Sequence, residues 1–263
     1  MRPLRLWLVV VVFFCFAVTL AAQSPSASTP QVLTMLQSAF QALSGKTAIN
    51  DVTLTGTAEW IAGSDDETGT VVLKTTSGAN RLDLNLSAGT RSEIRSSSAS
   101  GPAGSWIGPD GVSHAMANHN LMTDAGWFPA FTIGNLISAT NVTATYVGLE
   151  TRNGASAIHI SASQQFTGLP ANSAALMRHL SKVDLYIDPS TLLPVSYLFN
   201  SHPDDNASLD IPTEIRYSNY QKVAGVLIPL HVEKFINNTL ALDLQFQNAS
   251  LNTGITAAQV SAQ

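Results

Sequence analysis

Histidine and carboxylate side chains are the first candidates for chemistry in this chain. His114 and His119 stand five residues apart, with Asp124 close behind, and imidazole and carboxylate groups are common metal ligands. A spacing of five does not place two side chains on one face of a helix, and in a strand it directs them to opposite faces. A polar surface loop is therefore the favoured interpretation, and we predict no metal site and no cofactor.

General acid–base catalysis has one further set of candidates, the consecutive acidic residues Asp65, Asp66 and Glu67. Carboxylates act in this way inside a cleft, whereas an acidic run flanked by glycines is typical of a solvated turn. His159 alternates with two isoleucines, so a strand would direct it away from them, to solvent or to a hydrogen-bond partner. No Gly-x-Ser-x-Gly elbow, phosphate-binding loop or His-Glu-x-x-His motif occurs. We predict that the protein has no catalytic residue and is not an enzyme, and an exported hydrolase is the least favoured alternative.

The N-terminal residues predict export. Arg2 and Arg5 precede an apolar run at residues 6–20, which is shorter than the roughly 20 residues that cross a bilayer. Small residues follow the run, so we predict a signal peptide at residues 1–22 and a periplasmic location. Cys15 is the single cysteine and lies in this segment, so the predicted mature chain has no disulfide and no thiolate metal site.

The charge of the chain argues against nucleic acid as a partner. Without Arg2 and Arg5, 11 basic residues stand against 18 acidic ones, and the basic residues are not clustered. Phosphate contacts need clustered cations. Few basic residues also mean weak attraction to anionic lipid headgroups, so we expect peripheral or transient membrane contact at most.

Strands must position most of the side chains, and their pattern is clearest in residues 183–252. From Leu242 to Phe246, large apolar residues alternate with polar ones, as in a sheet with one apolar face. Asn153-Gly154 lies between two such runs and predicts a type I′ hairpin. We count roughly ten strands, more than an ordinary flat sheet carries without curling, so the sheet must be strongly curved or form an incomplete barrel.

Few helices are available to cover the apolar face. Thr29 and Pro30 are typical of a helix start, and apolar residues follow at helical spacing up to Gly45. Two shorter helices are predicted at residues 129–138 and 172–180.

Four short segments carry a family resemblance. LYIDP at residues 185–189 and LPV at 193–195, followed by YSNY at 217–220 and GVLIP at 225–229, resemble the LolA/LolB-like periplasmic lipoprotein-carrier superfamily, the outer-membrane lipoprotein-sorting-like proteins. The resemblance covers most of the mature chain. It implies a mainly β (α+β) fold in which a single curved antiparallel sheet forms an unclosed half-barrel, a few helices cover the concave side, and acyl chains occupy the space between.

The predicted organisation has a single folded domain. Its segments are the signal peptide at residues 1–22, a flexible mature N-terminus at 23–30, a LolA-like half-barrel at 31–255 and a C-terminal tail at 256–263.

The predicted function depends on whether the apolar face is fully packed. The favoured hypothesis is an exported, monomeric, non-enzymatic protein that holds lipid acyl chains or a lipidated or hydrophobic partner, with lipoprotein carriage as one example. The alternative is an envelope signalling or scaffold module with a filled core and no ligand. For any single apolar residue an ordinary core position is the favoured interpretation. The candidates to line a cavity are Leu82, Leu84, Trp127, Phe128, Phe131, Leu185, Ile187, Tyr197, Phe199, Tyr217, Leu242, Leu244 and Phe246.

A cluster of aromatic rings at Trp127, Phe128 and Phe131 precedes the second helix. These rings belong either to a lid that plugs the cavity or contacts an acyl chain, or to an anchor that ties the loop to the core, and the anchor is favoured. Arg81 stands where an arginine often opens a strand in the family that the chain resembles, and it is a candidate contact for the lid.

Overall fold

The structure is a computed structural model that describes residues 28–98 and 101–261. The predicted signal peptide and most of the predicted flexible N-terminus lie outside the described residues. No helix within them is both long enough and apolar enough to span a bilayer.

One antiparallel sheet dominates the described residues and contains thirteen strands. The strands are β1 Asp51–Ala62, β2 Asp65–Thr76, β3 Ala79–Leu86, β4 Gly89–Ser98, β5 Gly101–Ile107, β6 Ser113–Ala115, β7 Val142–Arg152, β8 Ala155–Gln164, β9 Val183–Ile187, β10 Pro194–Ser201, β11 Ile211–Val223, β12 Val226–Ile236 and β13 Thr239–Leu251. The predicted number was too low by three because β4, β5 and β6 do not show apolar alternation.

The order of the strands explains how the sheet remains open. Consecutive strands pair from β1 to β6 and from β7 to β13, and β1 pairs with β13 in the middle of the sheet. The two edge strands are therefore β6 and β7, which follow each other in the chain. The connecting residues 116–141 must pass from one edge to the other across the concave face. The predicted unclosed half-barrel is confirmed.

Three α-helices lie within the described residues, as predicted: α1 Pro30–Ser44, α2 Pro129–Ser138 and α3 Ala171–Leu180. Thr29 caps α1 by accepting a hydrogen bond from the Val32 N–H, and Gly45 ends it with a positive φ of 59°. Helix α1 contacts α2, β7 and β12, and α3 contacts β8. The helices therefore cover part of the concave face and leave other parts of it to the chain between β6 and α2.

The acidic run at residues 65–67 is not the solvated turn that its glycine neighbours predicted. Strand β2 begins at Asp65, which pairs with Ala62, and the turn consists of residues 63–64. Glu67 lies opposite Trp60 on the inward face and is only 8% exposed. The Ala88 N–H and the Arg91 guanidinium hold the pKa of the Glu67 carboxyl below its usual value.

Arg81 faces away from the space between sheet and helices. Leu82 and Leu84 point inward, so the alternation of a strand directs Arg81 outward. Its guanidinium pairs with Asp83 at 2.8 Å and donates to the Ser261 carbonyl at 3.5 Å. Arg81 thus contacts the C-terminal segment, in which Val260 is buried, and its role as a lid contact stays a prediction.

Candidate functional site

A segment of chain that we call the strap, residues 116–128, crosses the concave face of the sheet. From β4, Arg95 Nη1 donates to the Asn120 carbonyl at 2.9 Å. On the opposite side, Asn120 exchanges two hydrogen bonds of 2.8 Å with the backbone of His202. The Tyr217 hydroxyl of β11 donates to the Gly126 carbonyl. The strap is therefore tied to both sides of the half-barrel.

The strap carries the aromatic cluster into the interior. Trp127 and Phe128 are each 3% exposed, and Phe131 in the first turn of α2 is also buried. Their rings pack within the main core, which supports the anchor interpretation. They also border empty space, so their burial does not contradict a role in ligand contact.

One cavity, which we call cavity 1, lies between the strap, helices α2 and α3, and the sheet. Its volume is about 530 Å³, within the range of roughly 300–1,000 Å³ found for small-molecule sites. The Asn80 Oδ1 atom at this cavity is buried and accepts no hydrogen bond from the described residues. About half of the lining side chains are polar, but most of the lining surface is apolar, with contributions from Leu121, Trp127, Phe128, Phe131, Leu136 and Tyr197.

Cavity 2 lies on the other side of Trp127, which lines both spaces. It has a volume of about 230 Å³ and contains Trp60 and Trp106 in its wall. Three leucines from two strands, Leu82 and Leu84 of β3 and Leu242 of β13, also line cavity 2.

Charged side chains of β4 point into this interior. Arg91 pairs with Glu67 at 3.0 Å and stacks over Trp60 at 3.9 Å from the ring centroid. Glu93 and Arg95 are also paired with each other, at 2.9 Å. The register of β3 and β4 shows that these side chains point inward. Arg91 is paired with Leu84 and Glu93 with Leu82, and paired residues lie on the same face of a sheet.

A second cation, Lys234 of β12, approaches the same carboxylate, with 3.9 Å between its Nζ and Oε2 of Glu93. Burial raises the pKa of Glu93, but the positive charges of Arg95 and Lys234 outweigh this effect and hold the pKa below its usual value. Glu93 is therefore a carboxylate that stays ionised in a largely apolar interior.

The predicted cavity residues fall into two groups. Seven of them line a cavity: Leu82, Leu84, Trp127, Phe128, Phe131, Tyr197 and Leu242. The other six are buried in the core and line neither cavity: Leu185, Ile187, Phe199, Tyr217, Leu244 and Phe246. Sequence reasoning missed the inward charges and Trp60 and Trp106, because only the pairing of β4 with β3 and β5 shows which of its side chains point inward.

The histidine candidates do not form a common site. The His114 ring stacks on Trp106 with 4.1 Å between centroids, and His119 Nε2 lies 3.0 Å from the Pro203 carbonyl. Asp124 accepts a hydrogen bond from the Thr132 hydroxyl. Each side chain has its own structural partner, and these residues are part of a strand and the strap rather than of the predicted surface loop.

Two other histidines lie on the outward face. As predicted, His159 is hydrogen-bonded there, with Glu150 and Asp184 each 3.0 Å away. His231, Glu233 and Asp243 bring ligand atoms within 4.8 Å of one another. A 3.0 Å contact between His231 and Asp243 accounts for this proximity without an ion.

Comparison with known proteins indicates the fold. No family model matches the chain, and no curated protein matches it. A domain assigned to outer membrane lipoprotein sorting, from Vibrio parahaemolyticus, is similar in structure with a TM-score of 0.54 and 11% identity, over 87% of this chain and 95% of that one.

Two further solved structures have the same architecture. A LolA superfamily protein from Nitrosomonas europaea has a TM-score of 0.55 and 10% identity, over 90% of this chain and 99% of that one. A DUF1329 family protein from Desulfovibrio piger has a TM-score of 0.55 and 9% identity, over 90% and 98%. The chain therefore has a LolA-like fold.

Proposed function

We propose that the protein is an exported, non-enzymatic binding protein that holds an acyl chain of a lipid, or of a lipidated partner, in cavity 1. The observation that carries the proposal is an empty volume of about 530 Å³ with mainly apolar walls, in a fold shared with a domain assigned to lipoprotein sorting. A periplasmic location and action as a monomer belong to the same proposal.

The chemistry of the walls suits an alkyl chain. Methylene groups need no directed hydrogen bonds, and the rings of Phe128, Phe131 and Tyr197 offer apolar surface. Burial of apolar surface contributes about 25 cal/mol per Å², so a few hundred Å² of contact would stabilise a complex by several kcal/mol before ordering costs. The unpartnered Asn80 Oδ1 would accept a hydrogen bond from an amide or hydroxyl near the head of the lipid.

Native mass spectrometry of protein purified from the envelope of its own host tests this proposal. We expect a co-purifying lipid mass, which organic extraction removes. An apo mass together with no uptake of fluorescent fatty acids would contradict the proposal.

Filling cavity 1 should weaken acyl binding. Ala162 lines the cavity and is buried, whereas Ala103 lines its exposed rim. A phenylalanine at either position would displace two or more methylenes at about 0.8 kcal/mol each. We therefore expect Ala162→Phe and Ala103→Phe to lower the affinity for a long-chain fluorescent fatty acid by about tenfold or more, measured by titration.

The control for this experiment is Ala155→Phe, because Ala155 is exposed in the β7–β8 hairpin and lines neither cavity. Thermal unfolding of all three variants separates lost affinity from lost stability. Unchanged affinity in both cavity variants would place the ligand elsewhere.

One observation favours the alternative of a signalling or scaffold module. Edge strand β7 exposes Tyr146, Val147 and Leu149, and an exposed apolar edge strand is suited to pairing with a partner. This alternative predicts that the unaltered protein takes up no acyl probe. It also predicts that a variant with an altered β7 no longer binds its partner in the envelope.

A further inference from the structure

Lys234 is an interior cation with two distant partners, the Glu93 carboxylate and the Trp127 ring, whose centroid lies 5.5 Å from the Lys234 Nζ atom. Its neighbours across the sheet are Ile215 and Leu242, and its side chain is 20% exposed. Within residues 28–98 and 101–261 its ammonium group donates no hydrogen bond at 3.5 Å or less, and the nearest carboxylate oxygen is 3.9 Å away. Three donors of a largely buried group are therefore left for solvent or a ligand.

The charges that surround Lys234 do not balance. The two inward arginines each have a carboxylate of their own, at 3.0 Å for Arg91 with Glu67 and 2.9 Å for Arg95 with Glu93. Lys234 is the third cation beside two carboxylates. Asp124 does not correct the excess, because it forms no ion pair within 4.0 Å with a described cation and accepts a hydrogen bond from the Thr132 hydroxyl instead. Cavity 2 is thus locally positive in a chain whose formal net charge is −5.

An uncompensated charge in an apolar environment is unfavourable, and a bound counter-charge removes much of the penalty. The walls of cavity 2 define what else such a ligand must carry. Three tryptophans and the leucines of β3 and β13 surround the cations, so an anion with an apolar body fits better than a hydrated inorganic ion. Access is available, because Trp106 at the rim is 43% exposed.

We propose that cavity 2 is a binding site for the anionic group of an amphiphile, a carboxylate or a phosphate, with Lys234 as its ion-pair partner. Arg91 and Glu93 line the same cavity. Arg91 is paired with Glu67, and Glu93 is shared between Arg95 and Lys234, so the excess positive charge is that of Lys234. The site does not require an occupied cavity 1, so it goes beyond the proposed function and is tested separately.

Tryptophan fluorescence reports on this site, because all three tryptophans of the described chain, Trp60, Trp106 and Trp127, line cavity 2. Trp127 also lines cavity 1, so the titrations are carried out in the Ala162→Phe background, in which cavity 1 is filled. The probes are octanoate, octyl phosphate and the neutral analogue 1-octanol, with acetate and inorganic phosphate as anions that lack an apolar body. We expect octanoate or octyl phosphate to bind about tenfold more tightly than 1-octanol, as for one charge-assisted hydrogen bond. Acetate and phosphate should not compete at equal concentration.

Lys234→Met tests the role of the ammonium while it keeps the length of the side chain. We expect the preference for the anionic probes over 1-octanol to disappear in this variant and to persist in Lys234→Arg. The matched control is Lys74→Met, since Lys74 lies on the outward face of the nearby strand β2. An unchanged preference in Lys234→Met, or no preference in the unaltered protein, would overturn the proposal. Loss of acyl binding in cavity 1 would not affect either result, because that binding is measured in a separate titration with the Ala162→Phe and Ala103→Phe variants.

Discussion

Glu214→Gln is expected to lower the free energy of unfolding by about 3–5 kcal/mol, the usual effect of breaking a buried ion pair. Glu214 is 4% exposed on the outward side of β11. The guanidinium groups of Arg152 and Arg216 each lie 2.9 Å from its Oε2 atom. A neutral amide in place of the Glu214 carboxylate would leave the guanidinium groups of Arg152 and Arg216 without their anionic partner.

The same carboxylate joins three parts of the sheet. Its Oε1 atom accepts hydrogen bonds from Asn153 in the β7–β8 hairpin and from the Ser196 hydroxyl of β10. Chemical denaturation at neutral pH measures the loss. Glu150→Gln is the control, because Glu150 is on the exposed surface. Equal stability of the two variants would show that the ion pairs of Glu214 contribute little.

The dependence of this stability on pH follows from the pKa of Glu214. Burial raises the pKa, but hydrogen bonds from Arg216 and Ser196, with weaker contributions from Asn153 and Arg152, outweigh burial and lower the pKa from 4.5 to about 2. A depressed pKa stabilises the folded state above pH 4.5, and the contribution is lost as the pH falls toward 2. The full effect amounts to about 3 kcal/mol. Glu214→Gln should therefore unfold with a shallower pH dependence than the unaltered protein between pH 4.5 and 2.

Gly126→Ala is expected to reduce the free energy of unfolding by about 2–5 kcal/mol, for two physical reasons. Gly126 has a φ of +74°, which is unfavourable for alanine by about 1–2 kcal/mol. A Cβ atom there would also stand 2.5 Å from Cδ1 of Tyr197 and 3.3 Å from Cγ1 of Ile215, and overpacking of a core typically costs about 1–3 kcal/mol. The strap must move to accommodate the methyl group. Trp127, which directly follows Gly126 and lines both cavities, must move with it.

Gly154→Ala separates these two effects. Gly154 has a similar φ of +82°, but nothing lies within 4 Å of an added Cβ. Gly154→Ala should therefore show the backbone strain alone, and unfolding of both variants by denaturant gives the steric part by difference. Tryptophan fluorescence should shift in Gly126→Ala only. Equal losses of stability would mean that the strap accommodates the methyl group without displacement.

Features that neighbouring residues determine could be predicted from the sequence, whereas features that depend on residues distant in the chain could not. Helix α1, from Thr29 to Gly45, and the hairpin at Asn153 are specified by local residues, and both are present. Strand β4 was missed because its inward positions are Arg91, Glu93 and Arg95, so an apolar period of two is absent. Arg91 is compensated by Glu67, which lies 24 residues earlier in the chain, and no local pattern encodes such a pair.

Both cavities were beyond prediction for a related reason. The thirteen candidates share one property, apolar side chains on inward positions, and this property does not separate tight packing from empty space. Leu242 and Leu244 are two residues apart on β13 and therefore share a face of the sheet. Leu244 is nevertheless packed in the core, whereas Leu242 borders cavity 2. The path of the strap decides between these outcomes. It follows from long-range hydrogen bonds such as that from Tyr217 to Gly126.

The pairing of β1 with β13 has a consequence for how the chain folds. This central ladder joins residues from opposite ends of the sequence, with Val52 opposite Leu251. Contacts of such large sequence separation slow folding, since the loop between them must close first. During synthesis β1 has β2 on one side only, and its other edge is unpaired until the last strand emerges. The half-barrel can therefore be completed only after β13 has been synthesised, a kinetic property compatible with the proposed export.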